Sequence, residues 1–207
     1  WLVDNAGEPW MRPLAVIVVR CPAYTSARPV ASPMDCPNCQ SRLIRWGYAR
    51  ERTVRGPGDS IHRVRPARMR CTGCARTHVL LASGLLPRRA DSVEVIGTAL
   101  RHKAQGHGFR WIAQTMGRAE STVRRWLRRA PDSHLQWAWQ RGCARLIILN
   151  AEAFTELRFS PANHAGNALL VLAAAAYWDS ARCGFTDGAW AMIGMYTRGS
   201  LLAPPPG

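Results

Sequence analysis

Seven cysteines occur, at positions 21, 36, 39, 71, 74, 143 and 183. Four of them form two pairs of one spacing, Cys36-Pro37-Asn38-Cys39 and Cys71-Thr72-Gly73-Cys74, with 31 residues between the pairs. A two-residue gap lets both thiolates of a pair turn onto one ion, and two such knuckles complete a tetrahedral site. The expected occupant is structural Zn2+, because four protein ligands leave no open position for catalysis. A disulfide pairing would need an oxidising compartment, and no secretion signal is visible. A redox Cys-x-x-Cys is expected singly and near a βαβ pattern, which this sequence lacks. His62 and His78 lie close by in sequence and are read as surface or phosphate-facing groups rather than ligands. Cys21, Cys143 and Cys183 have no partner spacing and read as buried thiols.

The segments around the knuckles must position them. Leu43 to Tyr48 reads as a strand, Gly56-Pro57-Gly58-Asp59 as a turn, Ile61 to Met69 as a second strand and Thr77 to Leu81 as a third. That layout suits a zinc ribbon. Arg63 and Arg65 fall on one face of the second strand; Pro66 breaks the alternation, and Arg68 and Arg70 resume it. Beside a ribbon, these four arginines are expected to form a phosphate-facing ridge.

From Asp91 the apolar period changes from two to 3.6. Asp91 and Glu94 have capping-box spacing, and Val93, Ile96 and Leu100 make a stripe that Gly106 and Gly108 end. Phe109 to Met116 reads as a second short helix, Gly117 as a left-handed turn residue, and Glu120 to Arg129 as a third helix stopped by Pro131. This is helix-turn-helix patterning. Ala113 is small where two helices would cross, and Val123 and Trp126 point inward. Arg118 stands where an apolar residue often follows the turn glycine, which predicts a looser turn. In this motif the start of the last helix meets base edges, and the basic groups around it hold phosphates. Ser121, Thr122 and Arg125 are therefore expected on bases, and Arg124, Arg128 and Arg129 on phosphates. The competing reading is an ordinary helical hairpin with a basic exposed face.

The charge supports a polyanion partner. The chain's formal net charge is +15, and residues 36–130, with twenty Lys and Arg against five acids, hold all of it. Residues 1–35 and 131–207 are each neutral. A general basic bias would spread the excess; concentrated here, it points to nucleic acid. Lys103 is the only lysine, and arginine offers bidentate bonds to phosphate and guanine. A GC-rich genome would account for the preference for arginine over lysine, but not for the clustering. The longest apolar run, Ala168 to Trp178, is 11 residues, short of the roughly 20 that cross a bilayer. Asp4 and Glu8 interrupt the place of a signal peptide. The expectation is a cytoplasmic, nucleoid-associated protein with no membrane partner.

Cys36 to Pro131 resembles the zinc-ribbon plus helix-turn-helix module at the N-terminus of insertion-sequence transposases. It also resembles standalone helix-turn-helix proteins of unknown function. The residues that carry the likeness are the two cysteine pairs, Trp46-Gly47-Tyr48, Thr77 to Leu81, and Ile112-Ala113 through Ser121 to Leu127. The resemblance implies binding of element ends, with the chemistry in a downstream domain.

That catalytic domain is not evident. It would need three carboxylates on an RNase-H-like sheet to hold two metal ions. The acids after Pro131 are Asp132, Glu152, Glu156, Asp179 and Asp187, and none follows a run of strands. The tail reads as helices over Ser133 to Leu157, Asn167 to Cys183 and Asp187 to Thr197, with Trp137, Trp139, Trp178 and Trp190 as core or interface. A neutral, apolar tail behind a DNA-binding module suggests a homodimer. Leu14 to Val19 reads as a short strand and Ala23 to Pro33 as a linker.

The expected fold is α+β, mostly α. It comprises an N-terminal strand and linker (1–35), a zinc ribbon (36–87), a helix-turn-helix (88–131) and a helical tail (132–207). The expected function is sequence-specific binding of duplex DNA, as a non-enzymatic transcriptional regulator or transposase-related protein. The alternatives are a compact transposase or nuclease using C-terminal carboxylates, and an RNA- or protein-binding adaptor.

Overall fold

The computed structural model of the chain describes residues 16–20, 34–184 and 187–202. The expected linker from Ala23 to Pro33 lies outside the described residues, as do Cys21 and the first two residues of the Leu14 to Val19 run. The described residues form a mixed α+β structure of six strands and seven helices.

Strands β1 (Val16–Val19), β6 (Thr77–Ala82), β5 (Ala67–Cys71) and β2 (Leu43–Tyr48) make a four-stranded sheet in that order. β1 runs parallel to β6, and the other pairings are antiparallel. The short apolar run near the N-terminus thus extends the cysteine-bearing sheet, and Ser83 N donates to Val19 O at 2.9 Å just past the paired strands. β3 (Arg52–Arg55) and β4 (Ile61–Val64) form a separate hairpin across the Gly56–Asp59 turn.

One expected strand is therefore two. Ile61 to Met69 breaks at Arg65-Pro66, and β4 and β5 enter different sheets. Proline has no N–H for a ladder and restricts the residue before it. Pro66 O instead accepts from Ala49 N at 2.8 Å, holding the crossing point against the end of β2.

Helices α1 (Val93–Ala104), α2 (Phe109–Thr115) and α3 (Glu120–Arg128) follow. The cap of α1 is Ser92, whose hydroxyl accepts from Val95 N at 3.3 Å. Asp91, expected in that role, is instead 3 % exposed and ion-paired to Arg55 and Arg118. Gly117, at φ +60°, makes the turn between α2 and α3, where a side chain would strain the backbone.

The tail holds α4 (Asp132–Leu149), α5 (Ala151–Glu156), α6 (His164–Cys183) and α7 (Ala189–Tyr196). The expected single helix from Ser133 to Leu157 breaks at Asn150. Its backbone is extended there, and its side chain caps α5 by accepting from Ala153 N at 3.0 Å. An asparagine that can bond its own downstream backbone competes with helix continuation. Contacts along α4 and α6 advance in the same direction. Gly142 meets Val171, Arg145 meets Asp179, and Leu149 O meets Arg182, so the two helices run parallel. At Gly142 an added Cβ would lie 2.6 Å from Val171 Cγ1, which explains glycine at the crossing.

The tail and α1–α3 share one core. Val93, Ile96, Leu100, Ile112, Val123 and Trp126 are buried together with Leu135, Ala138, Leu172, Ile193 and Leu201. The Trp190 ring packs against Gly97, where an added Cβ would sit 2.1 Å from it. Trp137, Trp139 and Trp190 pack on this core, as their sequence reading expected. α3 itself rests on α1 and α2, and α6 and α7 pack against α1 in the same core.

Candidate metal centre and nucleic-acid interface

The register of β2 on β5 pairs Leu43 with Cys71, so the loop before β2 and the turn after β5 meet at one end of the sheet. Both knuckles then close in the same way. Cys36 N donates to Ser41 O at 2.8 Å and Cys71 N to Arg76 O at 2.9 Å, the same five-residue step. The residue after the second cysteine of each pair is left-handed, Gln40 at φ 61° and Ala75 at φ 57°. Backbone N–H groups of Asn38, at 3.4 Å, and Gly73, at 3.3 Å, point at the sulfurs of Cys36 and Cys71. Gly73 has no room for a side chain, since an added Cβ would meet Ser41 Oγ at 2.3 Å.

The ligand atoms of Cys36, Cys39, Cys71 and Cys74 all lie within 4.8 Å of one another, an arrangement able to hold a metal ion. The Cys39 and Cys71 sulfurs are 3.3 Å apart, and those of Cys36 and Cys74 3.7 Å. Burial pushes the Cys36 thiol up to about 11, whereas hydrogen bonds from Ser41 bring Cys39 down to about 6. His78 departs from its expected surface role. It is buried beneath the knuckles, with Nε2 at 3.4 Å from Cys36 Sγ. A ring nitrogen there can fix the orientation of a ligand sulfur. The signal was readable in the alternation of β6, which places His78 with Leu80 on the buried face.

The α3 residues divide as their spacing dictates. Val123 and Trp126 are buried, Thr122 is half-buried, and Ser121, Arg124, Arg125, Arg128 and Arg129 are exposed. None of these four arginines has a carboxylate partner among the described residues. Arg124 lies over the Phe109 ring at 5.7 Å, which links the face to α2. Arg89, before α1, joins the same cluster. Burial, then repulsion from Arg129 and Arg125, lowers its pKa. A cluster of like charges with no acid in it is stabilised by an incoming polyanion. Arg89 was missed because its place beside α3 arises from tertiary packing.

Arg118 does not loosen the turn. Its Nε donates to Asp91 at 3.0 Å and its terminal nitrogens to Gly56 O at 2.8 Å, Gly117 O at 3.2 Å and Met116 O at 3.3 Å. Arg55 donates to the other Asp91 oxygen at 2.8 Å. This network bolts the β3–β4 hairpin to the turn that launches α3.

The four strand arginines are divided between the β3–β4 hairpin, the link after it and β5. Arg63 is exposed on the hairpin, while Arg68 and Arg70 lie half-buried on β5 of the other sheet. Arg65, in the link, lies 5.2 Å from the Tyr48 ring, and Arg70 lies 4.5 Å from the Trp46 ring.

Of the C-terminal acids, Asp179 is buried. It binds Arg145 through both oxygens and accepts from the Tyr196 hydroxyl at 2.6 Å. Burial would raise its pKa, but Arg145 and Tyr196 outweigh that and hold it below the usual carboxylate range. Glu152 and Glu156 are exposed on α5, and Asp187 pairs with Arg20. Among the described residues, no helix is long and apolar enough to cross a membrane.

Residues 36–126 match a domain of unknown function (DUF6431). The match starts at the first cysteine of the cluster and ends at the buried tryptophan of α3. It covers less than half of the chain and names neither a transposase nor a zinc ribbon. No curated protein and no solved structure matches the chain. The matched region therefore contains both knuckles, α1, α2 and α3 as far as Trp126, with Arg89, Arg124 and Arg125 inside it and Arg128 and Arg129 just beyond.

Proposed function

We propose that this chain is a zinc-stabilised, sequence-specific duplex-DNA-binding protein, acting as a transcriptional regulator or a transposase-related DNA-binding protein. The observation that carries the reading is the outer face of α3. It bears four arginines without acid partners among the described residues, and its opposite face is locked into the core by Val123 and Trp126. A short helix, a glycine turn and a second helix so loaded fit helix-turn-helix docking, with Ser121, Thr122 and Arg125 toward base edges. Arg124, Arg128, Arg129 and Arg89 surround them as phosphate contacts.

Zinc suits the sulfur cluster. Bonds of 2.3 Å at tetrahedral angles separate thiolates by about 3.8 Å, close to the 3.3 and 3.7 Å spacings of the two sulfur pairs. The ion would serve as a staple, contributing on the order of 10 kcal/mol to the folding of the ribbon. The strand arginines Arg63, Arg65, Arg68 and Arg70 extend the basic surface. The exposed α6 residues Leu170 and Tyr177 offer a face for the proposed homodimer.

Paired substitutions test the assignment. Arg128→Ala should weaken binding to all duplexes alike, whereas Arg125→Ala should cost roughly 1–3 kcal/mol mainly on the preferred site. Sites selected from random duplexes supply the preferred sequence for the titrations. Equal losses for both variants on preferred and random DNA would defeat the reading.

A further inference from the structure

Among the described strands β2 stands at the edge of the sheet, and its exposed surface carries large aromatic rings together with guanidinium groups. Gly47, at φ +101°, makes an irregularity in the pairing between Arg45 and Tyr48. Ile44, Trp46 and Tyr48 stand at alternate positions on one exposed face, and Arg45 between them is exposed as well. Trp46 is 51 % exposed and Tyr48 41 %. Arg70 lies over Trp46 at 4.5 Å, and Arg45 and Arg65 lie over Tyr48 at 5.0 and 5.2 Å. Neither β2 nor β5 contains an acidic residue.

We infer that this edge is a stacking platform for an unpaired nucleic-acid strand, with bases on Trp46 and Tyr48 and phosphates on Arg45, Arg65 and Arg70. Bases inside a duplex already stack on one another and show only their edges in the grooves. A flat ring flanked by arginines instead suits a base whose face is free, and such stacking tolerates any sequence. An exposed edge strand also risks pairing with another chain. The arginines oppose that for a neutral or basic partner and favour a polyanion.

The site is separate from the α3 arginine cluster and lies on a different element. It gives the protein a means to recognise a junction, where a duplex held by α3 passes into a single strand. The inference goes beyond duplex binding and does not require it.

The test uses the full zinc-loaded chain and fluorescence anisotropy. The probes are one blunt DNA duplex, the same duplex with a short oligothymidine tail, the same duplex with an oligouridine tail, and each tail strand alone. A tail should raise affinity about tenfold over the blunt duplex. Trp46→Ala and Tyr48→Ala should each remove most of that gain while leaving blunt-duplex affinity unchanged, and Trp46→Phe should restore it. Gains from both tails would show a platform blind to the sugar, and a gain from one alone would fix the strand type. Equal affinity for tailed and blunt duplexes, together with no binding of the free strands, would overturn the inference and leave duplex binding standing. Binding of the tail strands without the blunt duplex would uphold the platform and overturn the duplex reading. Parallel loss on every probe in Trp46→Ala, with Trp46→Phe failing to restore it, would also overturn the platform.

Discussion

Removing the Asp91 carboxylate should unfasten the hairpin from the helices at a cost that follows from how its two partners are buried. Asp91 is 3 % exposed, and the Arg118 side chain is 9 % exposed. Asp91→Ala would therefore strand a guanidinium that has little access to water. Breaking a buried pair from one side costs about 3–5 kcal/mol. The four backbone and side-chain bonds of Arg118 include three carbonyls that survive the substitution, which places the loss near the lower end, about 3 kcal/mol. The Arg55 side chain is 45 % exposed, so Arg55→Ala should cost no more than about 1 kcal/mol. For a chain of this length each kcal/mol moves Tm by roughly 2–4 °C. Asp91→Ala should thus lower Tm by about 6–12 °C, and Arg55→Ala by about a third of that. Thermal unfolding followed by circular dichroism, with zinc in excess, measures both. An Asp91→Ala protein melting within about 1 °C of the parent would refute the reasoning, as would an Arg55→Ala protein that loses as much as Asp91→Ala.

Two further outcomes are expected. Cys36→Ser should abolish tight zinc binding and the amide protection of β2, β5 and β6, while Cys143→Ser, in the α4–α6 core, should keep both; unchanged metal content in Cys36→Ser would contradict the ligand assignment. His134 donates from Nε2 to Ser200 O at 2.7 Å, its buried Nδ1 has no hydrogen-bond partner among the described residues, and burial lowers its pKa below 6.5. Below that pH the unfolded chain takes up a proton that the folded chain refuses, so this histidine removes stability as pH falls and removes none above it. Tm between pH 7 and 5 should consequently fall less steeply in His134→Gln than in the parent; equal slopes would disprove the contribution.

Much of the site was legible because its signals are local. The spacing within each knuckle is set by a single turn, and the pattern of Val123 and Trp126 against four arginines is set by one helical period. Elements that depend on distant partners were harder to read. Arg52–Arg55 has arginine at both ends and little apolar content, yet Val54 on its inner face is buried in a small core with Leu81 and Leu85. The parallel pairing of β1 with β6 joins segments some sixty residues apart, which no local pattern announces. Asp91 and Ser92 are both good caps, and only the distant Arg55 and Arg118 decide that the aspartate goes elsewhere. Arg118 looked like a defect in a turn because the carbonyl and carboxylate that receive it come from outside the helices. Trp46 and Tyr48 were read as strand formers; that their shared face stays uncovered depends on what packs against the sheet, which no local pattern announces.

The central claim is that the arginine face of α3 and its neighbours neutralise duplex phosphates. Equilibrium binding of the full zinc-loaded chain to one duplex across a series of salt concentrations tests it most directly. Neutralising about six phosphates predicts that log affinity falls against log salt with a slope near −5, made shallower by about 1 in Arg128→Ala. A flat response, or a slope that Arg128→Ala leaves untouched, would contradict the account.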